Sequence, residues 1–152
     1  MEIRPVVETD RSEWCRMRCA LYSNPDPKEV DDWFEAAERG GTTCVGVAVL
    51  VVDRGDGQLA GFAEIGSRDY AEGCETTPVA YLEGWYVDSD LRRSGLGARL
   101  LQAVEQWAKA AGFKELASDT EIDNDVSLRA HVALGFEEVE RLICFRKPLR
   151  QP

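Results

Sequence analysis

The chain has one histidine in 152 residues, no paired cysteine spacing, no apolar run long enough for a bilayer, and fewer positive than negative charges. Each shortage excludes something. The longest apolar run, Cys44 to Val52, suits one buried strand and falls well short of the roughly 20 residues a membrane-spanning helix needs. No basic segment leads into an apolar one near the start, so no secretory signal is read and the expected compartment is cytoplasmic. Cysteines stand at 15, 19, 44, 74 and 144, an odd set that argues against a disulfide framework. Cys15 and Cys19 share a helix face, but a single histidine leaves few ligands for a metal, and the thiols read as small buried hydrophobes. The balance of 28 acidic against 18 basic residues, net −10, opposes nucleic-acid binding and favours a cationic partner.

What is present is ordinary for a soluble globular protein: 44% hydrophobic and 30% charged residues. The length fits a single domain, 1–152, around one core. Glu2 to Val7 reads as a first strand. Thr9 or Asp10 can cap a helix with Trp14, Met17 and Leu21 as its apolar stripe, broken at Tyr22-Ser-Asn-Pro-Asp-Pro27. A second helix is expected over Lys28 to Arg39, with Val30, Trp33, Phe34 and Ala37 inward and Gly40-Gly41 at its end. Thr42 to Asp53 and Gln58 to Ser67 are β-rich runs joined by Asp53-Arg-Gly-Asp-Gly57, a hairpin signal. Tyr70 to Pro78 is a polar, acidic loop, and loops of that length tend to carry function.

A strand, Tyr81 to Val87, then feeds the turn Arg92-Arg93-Ser94-Gly95-Leu96-Gly97. An amphipathic helix marked by Leu96, Leu100, Leu101, Val104, Trp107, Ala108 and Ala111 follows and ends at Gly112. The first N–H groups of a helix lack carbonyl partners, and the peptide dipoles place about +0.5 charge there. Glycines let backbone approach an anion, so this turn is a phosphate cradle. Arg92, Arg93 and Arg99 make it locally basic in an acidic protein. The triphosphate loop is excluded because no Gly-Lys-Ser/Thr ending is present, and the dinucleotide fingerprint because Leu100 stands where a third Gly or Ala belongs. Phe113 to Ser118 is the next strand and implies a right-handed parallel crossover. Asp119 to Asp125 can cap a short helix, Val126 to Leu134, closed by Gly135, and Phe136 to Glu140 and Leu142 to Lys147 read as final strands.

Arg92-x-x-Gly95-x-Gly97 after a strand resembles the acetyl-CoA pyrophosphate loop of the GCN5-related N-acetyltransferase (GNAT) superfamily. So does Asn124 set eleven residues before Gly135-Phe136. The element order matches too. The fold class implied is α/β (an α+β mixed sheet), β-α-α-β-β-β-α-β-α-β-β, with a central parallel strand pair splayed by the cofactor. Within that superfamily the chain is similar to aminoglycoside 6'-N-acetyltransferases at Asp69-Tyr70, Gly73-Cys74, Pro78-Val79, Leu82-Glu83-Gly84, Ala117-Ser118-Asp119-Thr120, Ala133 to Glu138, Glu140-Arg141 and Phe145-Arg146-Lys147. The resemblance implies acetyl-CoA as co-substrate, held by Trp85, Tyr86, Val87, Arg92, Arg93, Ser94, Gly95, Leu96, Gly97 and Asn124. It implies an aminoglycoside contacted by Tyr22, Tyr70, Glu83, Asp119 and Glu140, and a homodimer through Leu142 to Lys147. Ser23 to Pro27 departs from the group's pattern.

N-acetylation needs an unprotonated amine at a thioester carbonyl, a donor for the oxyanion and a proton for the departing thiolate. Glu83 and Asp119 are the candidate catalytic carboxylates, able to bind a cationic acceptor and take its proton directly or through water. A backbone N–H near Val87 is the oxyanion donor that the resemblance implies. Many superfamily members place a tyrosine general acid where this chain has His131, whose other reading is packing. No cysteine sits in a nucleophile setting, so direct transfer is expected. The alternative acceptor is another cationic amine, a polyamine or small metabolite. A module that binds without turnover is the reading from a different class.

Overall fold

The structure, a computed structural model, describes residues 1–38 and 48–149. Cys44, the Gly40-Gly41 helix end, the setting of the Ala37 side chain and the first half of the strand expected from Thr42 lie outside the described residues. The chain divides into two compact units, Met1–Asp119 and Thr120–Pro152.

The first unit is built on a five-stranded sheet in the order β1-β2-β3-β4-β5: β1 (Glu2–Pro5), β2 (Ala48–Asp53), β3 (Leu59–Arg68), β4 (Val79–Val87) and β5 (Leu116–Ser118). Three antiparallel pairings end in one parallel pairing, β4 with β5. The hairpin between β2 and β3 turns through Gly55 and Gly57, both at positive φ, as the Asp-Arg-Gly-Asp-Gly run requires.

Helices α1 (Arg11–Leu21) and α2 (Pro27–Glu38) cover one face of the sheet. Trp14, Met17 and Val30 pack there against Val49, Val51, Leu59 and Phe62. The two-residue period sends Leu50 and Val52 of β2 to the other face. Helix α3 (Leu96–Ala110) lies there and buries Leu96, Leu100, Leu101, Val104 and Ala108. A sheet covered on both faces reads as near-continuous apolar sequence, which is why β3 is buried over its first eight residues. Each large side chain removed from water contributes about 1.5–3 kcal/mol.

Two local expectations change. Asp10 does not cap α1; its carboxylate turns back to accept the Val7 N–H at 2.9 Å and both Arg4 Nη groups at 2.7 and 3.0 Å. Leu21, at the last turn of α1, stays 37% exposed, while Arg18 takes the buried place on that stripe.

The second unit holds α4 (Asp125–Ala133), ended at Gly135 with φ +92°. The strands expected over Phe136 to Glu140 and Leu142 to Lys147 are not formed, and residues 136–149 carry no regular element. A strand exists only as a ladder, and β-prone residues such as Phe136, Val139, Ile143 and Phe145 do not by themselves supply the second edge. None of the five strands pairs with this segment.

Candidate active site

The site is organised by an irregularity in β4. Glu64 of β3 stands opposite Gly84, yet the next residue, Ile65, stands opposite Leu82, so Glu83 is the extra residue of a β-bulge. Bulges re-aim a side chain. Here the Glu83 side chain lies across Gly66, where an added Cβ would stand 2.9 Å from Oε1. Its carboxylate accepts Arg68 Nε at 3.0 Å and Nη2 at 2.7 Å. The Arg68 guanidinium in turn covers the Tyr81 ring at 3.4 Å. Burial and the neighbouring Asp119 carboxylate push the Tyr81 hydroxyl up to about 12. Asp119, immediately after β5, also adds to the field on Arg68. Glu83 and Asp119, expected together from the sequence, thus converge through Arg68 and Tyr81, two residues that sequence reasoning missed.

Beside the bulge opens a cleft of about 740 Å³ lined by Tyr22, Asp26, Glu29, Asp32, Trp33 and Glu83 among others. Tyr22 turns its hydroxyl inward, to Glu64 Oε2 at 3.2 Å and to the Glu83 carbonyl at 3.1 Å. Glu64 is 2% exposed and takes Trp14 Nε1 at 3.0 Å and the charge of Arg18 at 3.3 Å. Burial pushes the Glu64 carboxyl up, opposed by Arg18 and by the Trp14 and Tyr22 bonds. Burial, then the Glu64 charge, pushes the Tyr22 hydroxyl up as well, so it remains a donor. Arg18 also pairs with Glu29 of α2. The wall is acidic, which attracts cations. A carboxylate inside an apolar strand, with an arginine on the facing helix stripe, was the available signal for Glu64.

Farther along β4 the β5 ladder ends at Leu82–Ser118 while β4 continues to Val87. That opening precedes the basic turn. Arg93 at φ +60° and Gly95 at φ +83° lead into α3, where the N-cap residue Gly95 brings no side-chain hydrogen bond to the first N–H groups. Positive φ close to a helix start makes an anion-binding concavity, so the turn fits a diphosphate. Gly97 has a second reason: an added Cβ would stand 3.1 Å from the Trp85 indole, so its absence lets α3 close onto β4. Arg92 folds back, its Nε donating to the Val87 carbonyl at 3.0 Å. Behind the turn, Asp88 accepts Arg16 Nη1 and Nη2 and Arg54 Nη2, each at 3.0 Å, another network the sequence did not reveal.

Glu115 pins the Tyr70 to Pro78 loop by accepting the Glu75 and Thr76 N–H groups at 2.9 and 2.7 Å. Tyr70 is 68% exposed on that loop. In the second unit Asn124 caps α4, its side chain accepting the Ser127 N–H at 3.1 Å. His131 Nδ1 donates to the Ser127 carbonyl at 2.8 Å, and its ring meets Phe136 edge-on at 5.1 Å. Glu140 is exposed in the same unit.

The chain belongs to the acetyltransferase (GNAT) family, whose sequence model matches residues 8–136. It is 46% identical over 148 residues to an aminoglycoside N(6')-acetyltransferase type 1 of Klebsiella aerogenes, covering 97% of this chain and 96% of that protein. Among solved structures it is similar to the aminoglycoside antibiotic 6'-N-acetyltransferase AAC(6')-Ih of Acinetobacter baumannii, with a TM-score of 0.84 and 34% identity over 97% of this chain and 98% of that one. AAC(6')-Iy bound to a bisubstrate analogue, CoA-S-monomethyl-acetylneamine, gives the same TM-score at 35% identity, again over 97% and 98% of the two chains. The mixed sheet and parallel β4–β5 pair agree with the fold expected from the sequence.

Proposed function

We propose that this protein acetylates the 6'-amine of aminoglycosides by direct transfer from acetyl-CoA, a reaction that confers antibiotic resistance. The observation that carries the reading is the acidic cleft meeting the bulged Glu83 where β5 leaves β4. Acetyl-CoA supplies an activated thioester; the backbone between Arg92 and Gly97 holds its diphosphate, with Trp85 to Val87 along the pantetheine arm. A polycationic acceptor gains from the carboxylates of the cleft before any contact forms. Glu83 and Asp119 bind the amine and take its proton. Arg68 holds and orients the Glu83 carboxylate until a cationic amine competes for it. Tyr22 and Tyr70 are the remaining acceptor contacts.

Two further parts belong to this reading. Val139, Leu142, Ile143, Phe145 and Leu149 leave 51–92% of their surface exposed in the single chain, and a second copy paired along Leu142 to Lys147 covers them in a homodimer; sedimentation of a purely monomeric species at micromolar concentration contradicts this. The cytoplasm is the working compartment, since it keeps thiols reduced and supplies the acetyl donor.

The acceptor is tested by CoA release across aminoglycosides with and without a free 6'-amine, beside spermidine as a polyamine. Turnover confined to free 6'-amines is expected. Equal turnover lacking that amine, or turnover of spermidine alone, overturns the assignment. Cleft charge alone suits any polycation, so the polyamine arm separates attraction from recognition.

A further inference from the structure

A bulge residue has lost its regular cross-strand pairing, so something else must fix where it points. At Glu83 the side chain is steered by Arg68, but the backbone is steered from the opposite direction. The Tyr22 hydroxyl sits 3.1 Å from the Glu83 carbonyl and 3.2 Å from Glu64 Oε2, its one hydrogen shared between two acceptors. Tyr22 is itself held by Glu64 at its hydroxyl and by Arg18 over its ring. Glu64 is anchored by Trp14 and Arg18, both buried, and the Arg18 guanidinium lies 5.2 Å over the Tyr22 ring. The space for the hydroxyl exists only because position 84 is glycine: an added Cβ at Gly84 would overlap it.

We propose that Tyr22 is a positioning residue for the acetyl transfer: its hydroxyl, held by the Trp14–Arg18–Glu64 cluster, pins the β4 bulge and so sets the Glu83 carboxylate toward the acceptor amine. This rests on the reading that Glu83 contacts that amine. It gives Tyr22 a role other than lining the cleft, because its hydroxyl is bonded to the Glu64 carboxylate and the Glu83 carbonyl. It also couples the α1–α2 wall to the reacting carboxylate, since Arg18 holds Glu29 of α2 as well as Glu64.

Glu64 is a poor test, because removing it strands the buried Arg18 charge and risks the fold. Tyr22→Phe keeps the ring and deletes only the hydroxyl. Small displacements of a catalytic group cost up to about 100-fold in rate, so the expected result is a kcat lowered roughly tenfold or more. The KM for acetyl-CoA stays within twofold and the melting temperature close to wild type. Gly84→Ala, which displaces the hydroxyl from the other side, lowers kcat in the same way. The double variant loses less than the product of the singles, because the worst overlap goes with the hydroxyl and leaves only the approaches to Glu64 Oε2 at 3.1 Å and Tyr22 Cζ at 3.3 Å. A Tyr22→Phe enzyme with wild-type kcat overturns the proposal, as does a fall in melting temperature with kcat per folded molecule unchanged. Glu83→Gln, run in parallel, separates the two levels. If it loses activity while Tyr22→Phe does not, only the positioning role fails; if it retains full activity, the Glu83 reading fails and the positioning role with it.

Discussion

Replacing Asp88 by asparagine tests whether the basic turn is held in shape from behind. Asp88 directly follows β4, with its side chain 13% exposed, and accepts three guanidinium N–H bonds at 3.0 Å, two from Arg16 and one from Arg54. Its carbonyl accepts the Leu91 N–H at 3.0 Å, which starts the 3-10 turn leading to Arg92. Charged hydrogen bonds contribute about 1.5–3 kcal/mol where water is excluded. Arg16 and Arg54 are 44% and 22% exposed, which brings each pair toward the roughly 1 kcal/mol ceiling of exposed ion pairs. Two pairs then total about 2 kcal/mol, and at this chain length that lowers the melting temperature by about 4–8 °C. The functional part is a several-fold rise in KM for acetyl-CoA, with kcat at saturation little changed. Asp10→Asn is the control: it breaks the Arg4 pairing beside β1, three strands from the turn, and should lower the melting temperature without moving that KM. Burial raises the Asp88 carboxyl, but Arg16 and Arg54 outweigh it and the net shift is downward. Its stabilisation is therefore complete above the unfolded carboxylate value of about 3.9 and is lost as pH falls through the lower folded value, so the variant and wild type should converge in acid. An Asp88→Asn protein that melts with wild type at neutral pH and keeps its acetyl-CoA KM refutes this reasoning.

Three shorter predictions follow from single positions. Gly95→Ala places a Cβ at φ +83° with no atom within 4 Å, so the cost is backbone strain alone, about 1–2 kcal/mol. Steady-state kinetics should show acetyl-CoA KM rising and acceptor KM holding; an unmoved acetyl-CoA KM removes this turn from coenzyme binding. In Gly61→Ala the new Cβ would stand 2.6 Å from the Tyr86 carbonyl oxygen, forcing β3 from β4 at a cost of about 1–3 kcal/mol, visible as a lower urea midpoint. His131→Ala should keep most activity, because the ring packs on Phe136 and bonds the Ser127 carbonyl; a tenfold loss of kcat at unchanged stability would identify a general acid instead.

What could be read locally came out close to its expected place. The α3 stripe, the Gly-bounded hairpin, and the helix stops at Gly112 and Gly135 depend on residues a few positions apart, and all three are present. The turn from Arg92 to Gly97 was legible for the same reason, since positive φ and a helix start are short-range properties. The site's other half was not. Glu64 stands in an apolar run where a two-residue period makes it surface, yet β3 is buried on both faces, and Trp14, Arg18 and Tyr22, 50, 46 and 42 positions earlier, make a carboxylate tolerable there. Arg68 looks like the polar end of a strand until the bulge brings Glu83 across Gly66 to meet it.

The final strands show the same division from the other side. Phe136 to Glu140 and Leu142 to Lys147 were expected as strands and carry no regular element, because pairing needs an edge that the segment itself does not encode. A carboxylate, a bulge and a strand are thus each specified by a partner far away in the chain. That places the sensitive positions of this enzyme in residues such as Tyr22, Gly84 and Arg68, which no short motif marks, and not only in the glycines of the turn. Substitutions there should alter turnover while leaving every recognisable motif intact.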